Sequence, residues 1–389
     1  MTYYRQVGEV PPKRHTQFRR PDGGLYAEEL MSVAGFSGPT SLLYHRRPPT
    51  AVVAAVADPR PDSPLHDPNP HVPRHLLGGG MAPAGDLLSG RRLMLGNGDV
   101  LLHLVAAEGT SQLYRNALGD EVVFVRSGTA RLESVFGSVD CEPGDYVVVP
   151  RSTTHRWTVT STDPVQALVI EAAGQVTPPA RYRSSTGQFL EHSPYCERDL
   201  HGPAEVLVIE EADDAETEVV VRHHGGHTTY TYAHHPFDVV GWAGCVYPYR
   251  FNVRDFEPIT GRVHQPPPVH QTFAGPSFVV CTFVPRLFDY HPEAIPAPYN
   301  HSNVDSDEVL YYVEGNFMSR AGAGIGAGSI SLHPAGFVHG PQPGSVERSI
   351  GATATEELAV MVDTFAPLQM TDDAAAMDDP DYLRSWLSD

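Results

Sequence analysis

Positive charge is scarce in this chain: 27 Lys and Arg stand against 47 Asp and Glu in 389 residues, a formal net charge of -20. That balance repels phosphate backbones and anionic lipid surfaces, which argues against nucleic acid as a partner. Long apolar runs are missing too, and the N-terminal stretch MTYYRQVGEVPPKRH has no apolar signal core. Neither secretion nor membrane insertion is indicated, so a soluble cytoplasmic protein is expected. Only four cysteines occur, Cys141, Cys196, Cys245 and Cys281, without a CxxC spacing. A disulfide framework or a thiolate zinc cluster is therefore unsupported.

What the chain has in excess is glycine, proline and histidine: Gly 35, Pro 36 and His 20. Glycine and proline together exceed the roughly 12% of an average globular chain, so many turns and short strands are expected. Runs such as RLMLGNGDVLLHLVA, EVVFVRSG, TARLESV, DYVVVP and HRWTVTS, followed by SFVVCTFV, EVLYYVEGNF and ELAVMVDTF, read as strands of a barrel or sandwich. Two Pro/Gly/His-rich stretches, 59–90 and about 175–235, read as long connections. The acidic residues from Thr371 onward read as a solvated cap, helical at its very end.

One two-part pattern occurs twice. The C-terminal copy is His301-x-Asn303, Glu308, Gly315, then Gly328, Pro334-x-Gly336 and His339; the N-terminal copy is Tyr114-x-Asn116, Glu121, Gly128, then Gly144, Pro150 and His155. Residues at i and i+2 of a strand point to one face, so His301 and Asn303 are expected to face inward, with Glu308 farther along the wall. Two imidazoles and a carboxylate leave open positions on an octahedral metal, the arrangement of non-haem Fe(II) oxygenases. In the N-terminal copy only Glu121 and His155 remain, and Ser152 takes the place of the second-motif glycine, so that half is expected to be a metal-free scaffold.

These spacings resemble the two motifs of the cupin superfamily. The implied fold is an all-β bicupin, two jelly-roll barrels with long connections and few short helices, divided into an N-terminal unit over 1–235 and a C-terminal unit over 236–389. Longer stretches, YYRQVGEVPPKRHTQFR, GGLYAEELM, PFDVVGWAGCVYPYRFNVRDF and SLHPAGFVHGP among them, resemble homogentisate 1,2-dioxygenase over nearly the whole chain. The resemblance implies an Fe(II) enzyme of tyrosine and phenylalanine catabolism that opens homogentisate to maleylacetoacetate, with O2 and a small aromatic acid as reactants. It also implies a homo-oligomer, a trimer or hexamer.

Carried onto this sequence, the family's iron ligands fall on His301, Glu308 and His339. Asp307 competes for the carboxylate position, but the six-residue gap to Gly315 fits Glu308. The general base falls on His264, followed three residues later by Pro267, with His270 as an additional candidate, and His333 matches an active-site histidine. His333, Phe317, His270 and Asn303 are the expected substrate contacts. Two positions depart from the family: Ser302 stands where it has arginine, and Phe317 where a tyrosine hydroxyl meets the substrate. A related substrate of gentisate, hydroquinone or hydroxyanthranilate type therefore stays open, as does a metal-binding cupin that is not an oxygenase. The histidines of 223–235 lack metal spacing and are expected at a loop surface or subunit contact.

Overall fold

The computed structural model describes residues 3–59, 64–209, 215–261, 267–320 and 322–387. Strands dominate, and the described residues hold two α-helices of five residues each, Ser345–Ser349 and Asp372–Ala376. None is long and apolar enough to cross a membrane.

Alternation along single strands builds the layers. In Glu121–Ser127, Val123 and Val125 face one core with Val147, Val149 and Trp157, while Val122 and Phe124 face a second core with Tyr146 and Val148. Period-two placement of apolar side chains on both faces makes this a central strand. It lies in a seven-stranded sheet ordered Tyr249–Asn252, Asp145–Val149, Glu121–Ser127, Val165–Ala172, Val100–Ala107, Arg92–Gly96, Gln369–Met370. A second seven-stranded sheet, containing Ala130–Ser134 and His155–Val159, closes the N-terminal sandwich.

The C-terminal barrel rests on a six-stranded sheet ordered Gln271–Gly275, Phe278–Phe283, Leu358–Thr364, Asp307–Glu314, Ile330–His333, Arg74–Leu76. Rings from both halves meet where the barrels abut. Tyr146 lies 4.8 Å from Phe124 and 5.4 Å from Phe273, and Phe124 is 6.4 Å from Tyr311. The Tyr146 hydroxyl is satisfied by Thr282 Oγ1 at 2.8 Å, as a buried phenol requires.

Three expectations need correcting. The changeover between units does not fall at 236, because Val239–Gly244 pairs with Arg5–Gly8 and Thr40–His45, and Tyr249–Asn252 pairs with Asp145–Val149. The connection 175–235 is not all loop: Thr217–His223 and Gly226–Tyr232 form a hairpin whose first strand runs parallel to Tyr114–Asn116. His234 and His235 are buried, so they are no loop surface. Nor is the C-terminal tail a solvated cap. Tyr382 is 1% exposed, and Trp386 Nε1 donates to the Gly340 carbonyl at 3.0 Å, placing the tail against the back of the second-motif strand.

Candidate metal centre and cavity

His301 and His339 meet as an isolated antiparallel bridge, each backbone N–H donating to the other's carbonyl at 2.8 Å. That bridge brings their rings to 4.4 Å between centroids. Glu308, the second residue of Asp307–Glu314, projects toward both. Its Oε2 is 3.7 Å from His301 Nε2 and its Oε1 is 3.3 Å from His339 Nε2. One ligand atom from each of the three residues falls within 4.8 Å of the others. Asp307 points elsewhere: its carboxylate accepts from Ala335 N at 2.8 Å and Leu368 N at 2.7 Å.

The outer hydrogen bonds fix the tautomers. A carbonyl only accepts, so His301 Nδ1 donates to Tyr299 O at 3.1 Å and His339 Nδ1 to Phe337 O at 3.0 Å. In the neutral rings this leaves both Nε2 lone pairs turned toward a carboxylate. His339 Nε2 is buried and has no hydrogen-bond partner among the described residues. Three converging lone-pair donors repel one another unless a cation lies between them, so the donor set fits a divalent metal held by two imidazoles and a carboxylate.

Behind the carboxylate, His333 Nδ1 lies 2.9 Å from Glu308 Oε1 and His333 Nε2 lies 3.2 Å from Tyr382 Oη. Burial, aided by the Arg320 charge, lowers the His333 pKa to about 3. It is therefore a neutral ring that donates to Glu308 and accepts from the Tyr382 hydroxyl. Burial raises the Glu308 pKa, but the surrounding His301, His333 and His339 outweigh it and hold the group well below the ordinary carboxylate range. His301 moves up, chiefly through Glu308, against a smaller effect of burial.

The centre opens on a cavity of about 510 Å³ lined by His301, Ser302, Asn303, Glu308, Phe317 and Arg320 at one end. Family models described as homogentisate 1,2-dioxygenase N-terminal and C-terminal match residues 84–253 and 257–388. The chain belongs to the homogentisate 1,2-dioxygenase family. A Saccharolobus solfataricus protein named "Putative dioxygenase" is 40% identical over the full length of both chains. The homogentisate 1,2-dioxygenase of Nitrobacter hamburgensis is 28% identical over 73% of this chain and 65% of its own, and that of Sinorhizobium medicae is 28% identical over 93% and 86%. Among solved structures, protein Ylba from E. coli aligns with 79% of this chain and 95% of its own at 8% identity and a TM-score of 0.37.

In this member of the homogentisate 1,2-dioxygenase family the expected substrate contacts separate. Asn303 and Phe317 line the cavity. Phe317 adopts a left-handed φ of 39° and packs edge-on to Tyr312 at 5.0 Å. His333 is fully buried and outside the lining, a positioning partner of Glu308 rather than a cavity contact. His270 is also fully buried, neither ring nitrogen has a hydrogen-bond partner among the described residues, and its ring lies 4.8 Å from Phe283. Burial, assisted by the Arg286 charge, lowers its pKa to about 3. His264 lies outside the described residues.

Sequence reasoning missed Arg320. It is 7% exposed, donates to Gly340 O at 2.6 Å and to Tyr312 Oη at 3.3 Å, and lies 5.9 Å from the Trp386 ring. It puts positive charge in the wall beside the centre. No local pattern announces it, because its partners come from the first-motif strand, the second motif and the tail.

The N-terminal copy carries its own cation. Arg91 Nη1 and Nη2 donate to the two oxygens of Glu121 at 2.9 Å each, and Asn116 Nδ2 donates to the same carboxylate at 3.0 Å. Burial raises the Glu121 pKa, but Arg91 brings it down to about 2. The guanidinium is thus the cation facing that carboxylate, where the C-terminal copy presents two imidazole Nε2 atoms.

Proposed function

We propose that this chain is an Fe(II)-dependent dioxygenase that opens a dihydroxylated aromatic ring of homogentisate type, yielding a maleylacetoacetate-type product that keeps both atoms of O2. The convergence of His301 Nε2, Glu308 and His339 Nε2 within 4.8 Å carries this reading. These residues would hold the iron. Bound there, ferrous iron would supply open coordination positions for a deprotonated phenol and for O2.

The protein's own groups do the remaining work. Tyr299 and Phe337 carbonyls hold the two imidazoles by their Nδ1 protons, and His333 with Tyr382 aims the carboxylate. Arg320 stabilises an anionic ligand beside the centre. His264, by family resemblance, takes the phenol proton. Leu310 and Phe317 give the ring an apolar wall. Ser302 and Phe317, which replace an arginine and a phenolic hydroxyl of the family, favour a substrate related to homogentisate over homogentisate itself. None of the four cysteines is in a disulfide among the described residues, in keeping with a cytoplasmic enzyme, and the family resemblance supports a homo-oligomer.

The reading is tested by anaerobic loading with Fe(II), then O2 uptake with homogentisate, gentisate and hydroxyanthranilate and mass detection of ring-opened product. A ring-cleaving enzyme consumes one O2 per product, with a mass gain of two oxygens. Absence of uptake with every substrate, in protein that retains one iron, overturns it.

A further inference from the structure

The cavity is longer than the ring that the proposed reaction opens, and its far end carries charges of its own. Glu308, Leu310 and Tyr312 face it from one strand, and Met361, Ala359 and Glu357 face it from the neighbouring segment, the alternation expected of inward positions. Glu308 stands opposite Asp363. Glu357 lies six residues before Asp363, a separation of about 20 Å at roughly 3.3 Å per residue. There Arg286, opposite Thr355, brings Nη1 to 3.6 Å from Glu357 Oε1 and lies 5.6 Å from the Phe283 ring. Both side chains line the cavity and are mostly shielded from solvent, with exposures of 10% and 20%.

A monocyclic acid held at His301, Glu308 and His339 ends well short of this pair. The volume of about 510 Å³ falls within the roughly 300–1,000 Å³ that encloses drug-sized ligands. The two charges also select. A lone carboxylate meets Arg286 but is repelled by Glu357; a lone ammonium meets the reverse. A terminus bearing both charges complements the pair.

We propose that Arg286 and Glu357 form a second recognition subsite, and that the substrate class is a dihydroxylated aromatic ring with an extended arm ending in an amino-acid-like zwitterion. This rests on the ring-cleavage reading only for which end holds the ring.

Three probes test it: homogentisate, its amide with the side-chain nitrogen of lysine, and its hexylamide, which has the arm without the zwitterion. Anaerobic calorimetric titration of metal-loaded protein is expected to show the lysine conjugate binding at least about tenfold tighter than the hexylamide, a difference typical of one charge-assisted contact pair. The isosteric Glu357→Gln variant and the charge-neutral pair Arg286→Met/Glu357→Met should both erase that preference, and Arg286→Lys should keep part of it, with melting temperatures checked for each. Equal affinity for the two amides in the wild-type protein, or a preference that survives Glu357→Gln, overturns the subsite. Oxygen uptake read in parallel separates the two ideas: selective binding without uptake by any probe sinks ring cleavage and leaves the subsite standing. Uptake with homogentisate alone and no amide preference does the opposite.

Discussion

Adjacent carboxylates, Asp307 and Glu308, have opposite employments, and single substitutions distinguish them. Glu308→Gln removes the anionic donor between two imidazoles and is expected to weaken metal binding by at least about 100-fold, the upper figure for outer partners alone; metal analysis after dialysis checks it. Asp307→Asn should retain one metal but cost about 1–3 kcal/mol of stability, because an amide nitrogen then faces the Ala335 or Leu368 N–H that a carboxylate oxygen accepts. Glu308, which the six-residue spacing to Gly315 singles out in the sequence, is the neighbour that projects toward His301 and His339, since strand alternation allows one of the two to face inward. Phe317 is the other decisive residue. Its ring lines the cavity, so Phe317→Tyr supplies a donor at the wall, and kcat/KM for homogentisate should rise about tenfold, the worth of one hydrogen bond to a developing charge. Steady-state O2 uptake with homogentisate against gentisate reads the change.

Two buried clusters hold elements together without touching the cavity. Arg91 ties the segment before Arg92–Gly96 to Glu121 on the central strand. Arg91→Met leaves that carboxylate buried and uncompensated, at a cost of about 3–5 kcal/mol, with the C-terminal metal still bound; denaturant melts paired with metal analysis check both halves. The second cluster pins Thr40–His45. His45 Nδ1 meets Asp238 Oδ1 at 2.6 Å, its Nε2 meets Glu29 Oε2 at 3.0 Å, and His234 lies 3.8 Å from the other Asp238 oxygen. Burial lowers the His45 pKa, but the Asp238 and Glu29 hydrogen bonds raise it to about 9. A folded pKa above the unfolded value of about 6.5 means this stabilisation is complete below that pH and is lost as pH rises toward about 9. Melting temperature should therefore fall between those limits, and His45→Gln should flatten the slope. Strands with local signatures, such as Asp145–Val149 and His155–Val159, were legible as alternating or continuous β-branched runs. The hairpin of Thr217–His223 and Gly226–Tyr232 was not, because its Gly/His/Tyr content reads as loop and its order comes from pairing with Tyr114–Asn116 and Val52–Asp58.

Across the whole molecule the two barrels trade strands, which periodicity within either half does not reveal. Arg74–Leu76, from the long N-terminal connection, forms the edge of the C-terminal sheet beside Ile330–His333, and Gln369–Met370 forms the edge of an N-terminal sheet beside Arg92–Gly96. Segments of two or three residues carry no readable period, and their positions depend on chain hundreds of residues away. The same holds for Tyr382 and Trp386, which reach the His301–Glu308–His339 cluster through His333 and Gly340. Capping the strand edges in this way shields backbone groups that would otherwise stay unpaired, and the rings of Phe124, Tyr146, Phe273 and Tyr311 form one core across the junction. Unfolding one barrel therefore strips an edge and half a core from the other. The intact protein is expected to melt in a single calorimetric transition with matching van't Hoff and calorimetric enthalpies. A chain of residues 236–389 expressed alone, which lacks Arg74–Leu76 and the Phe124–Tyr146 face, should show no cooperative transition and no cavity-bound metal. Two separable transitions, or a folded fragment, would make each barrel its own cooperative unit instead.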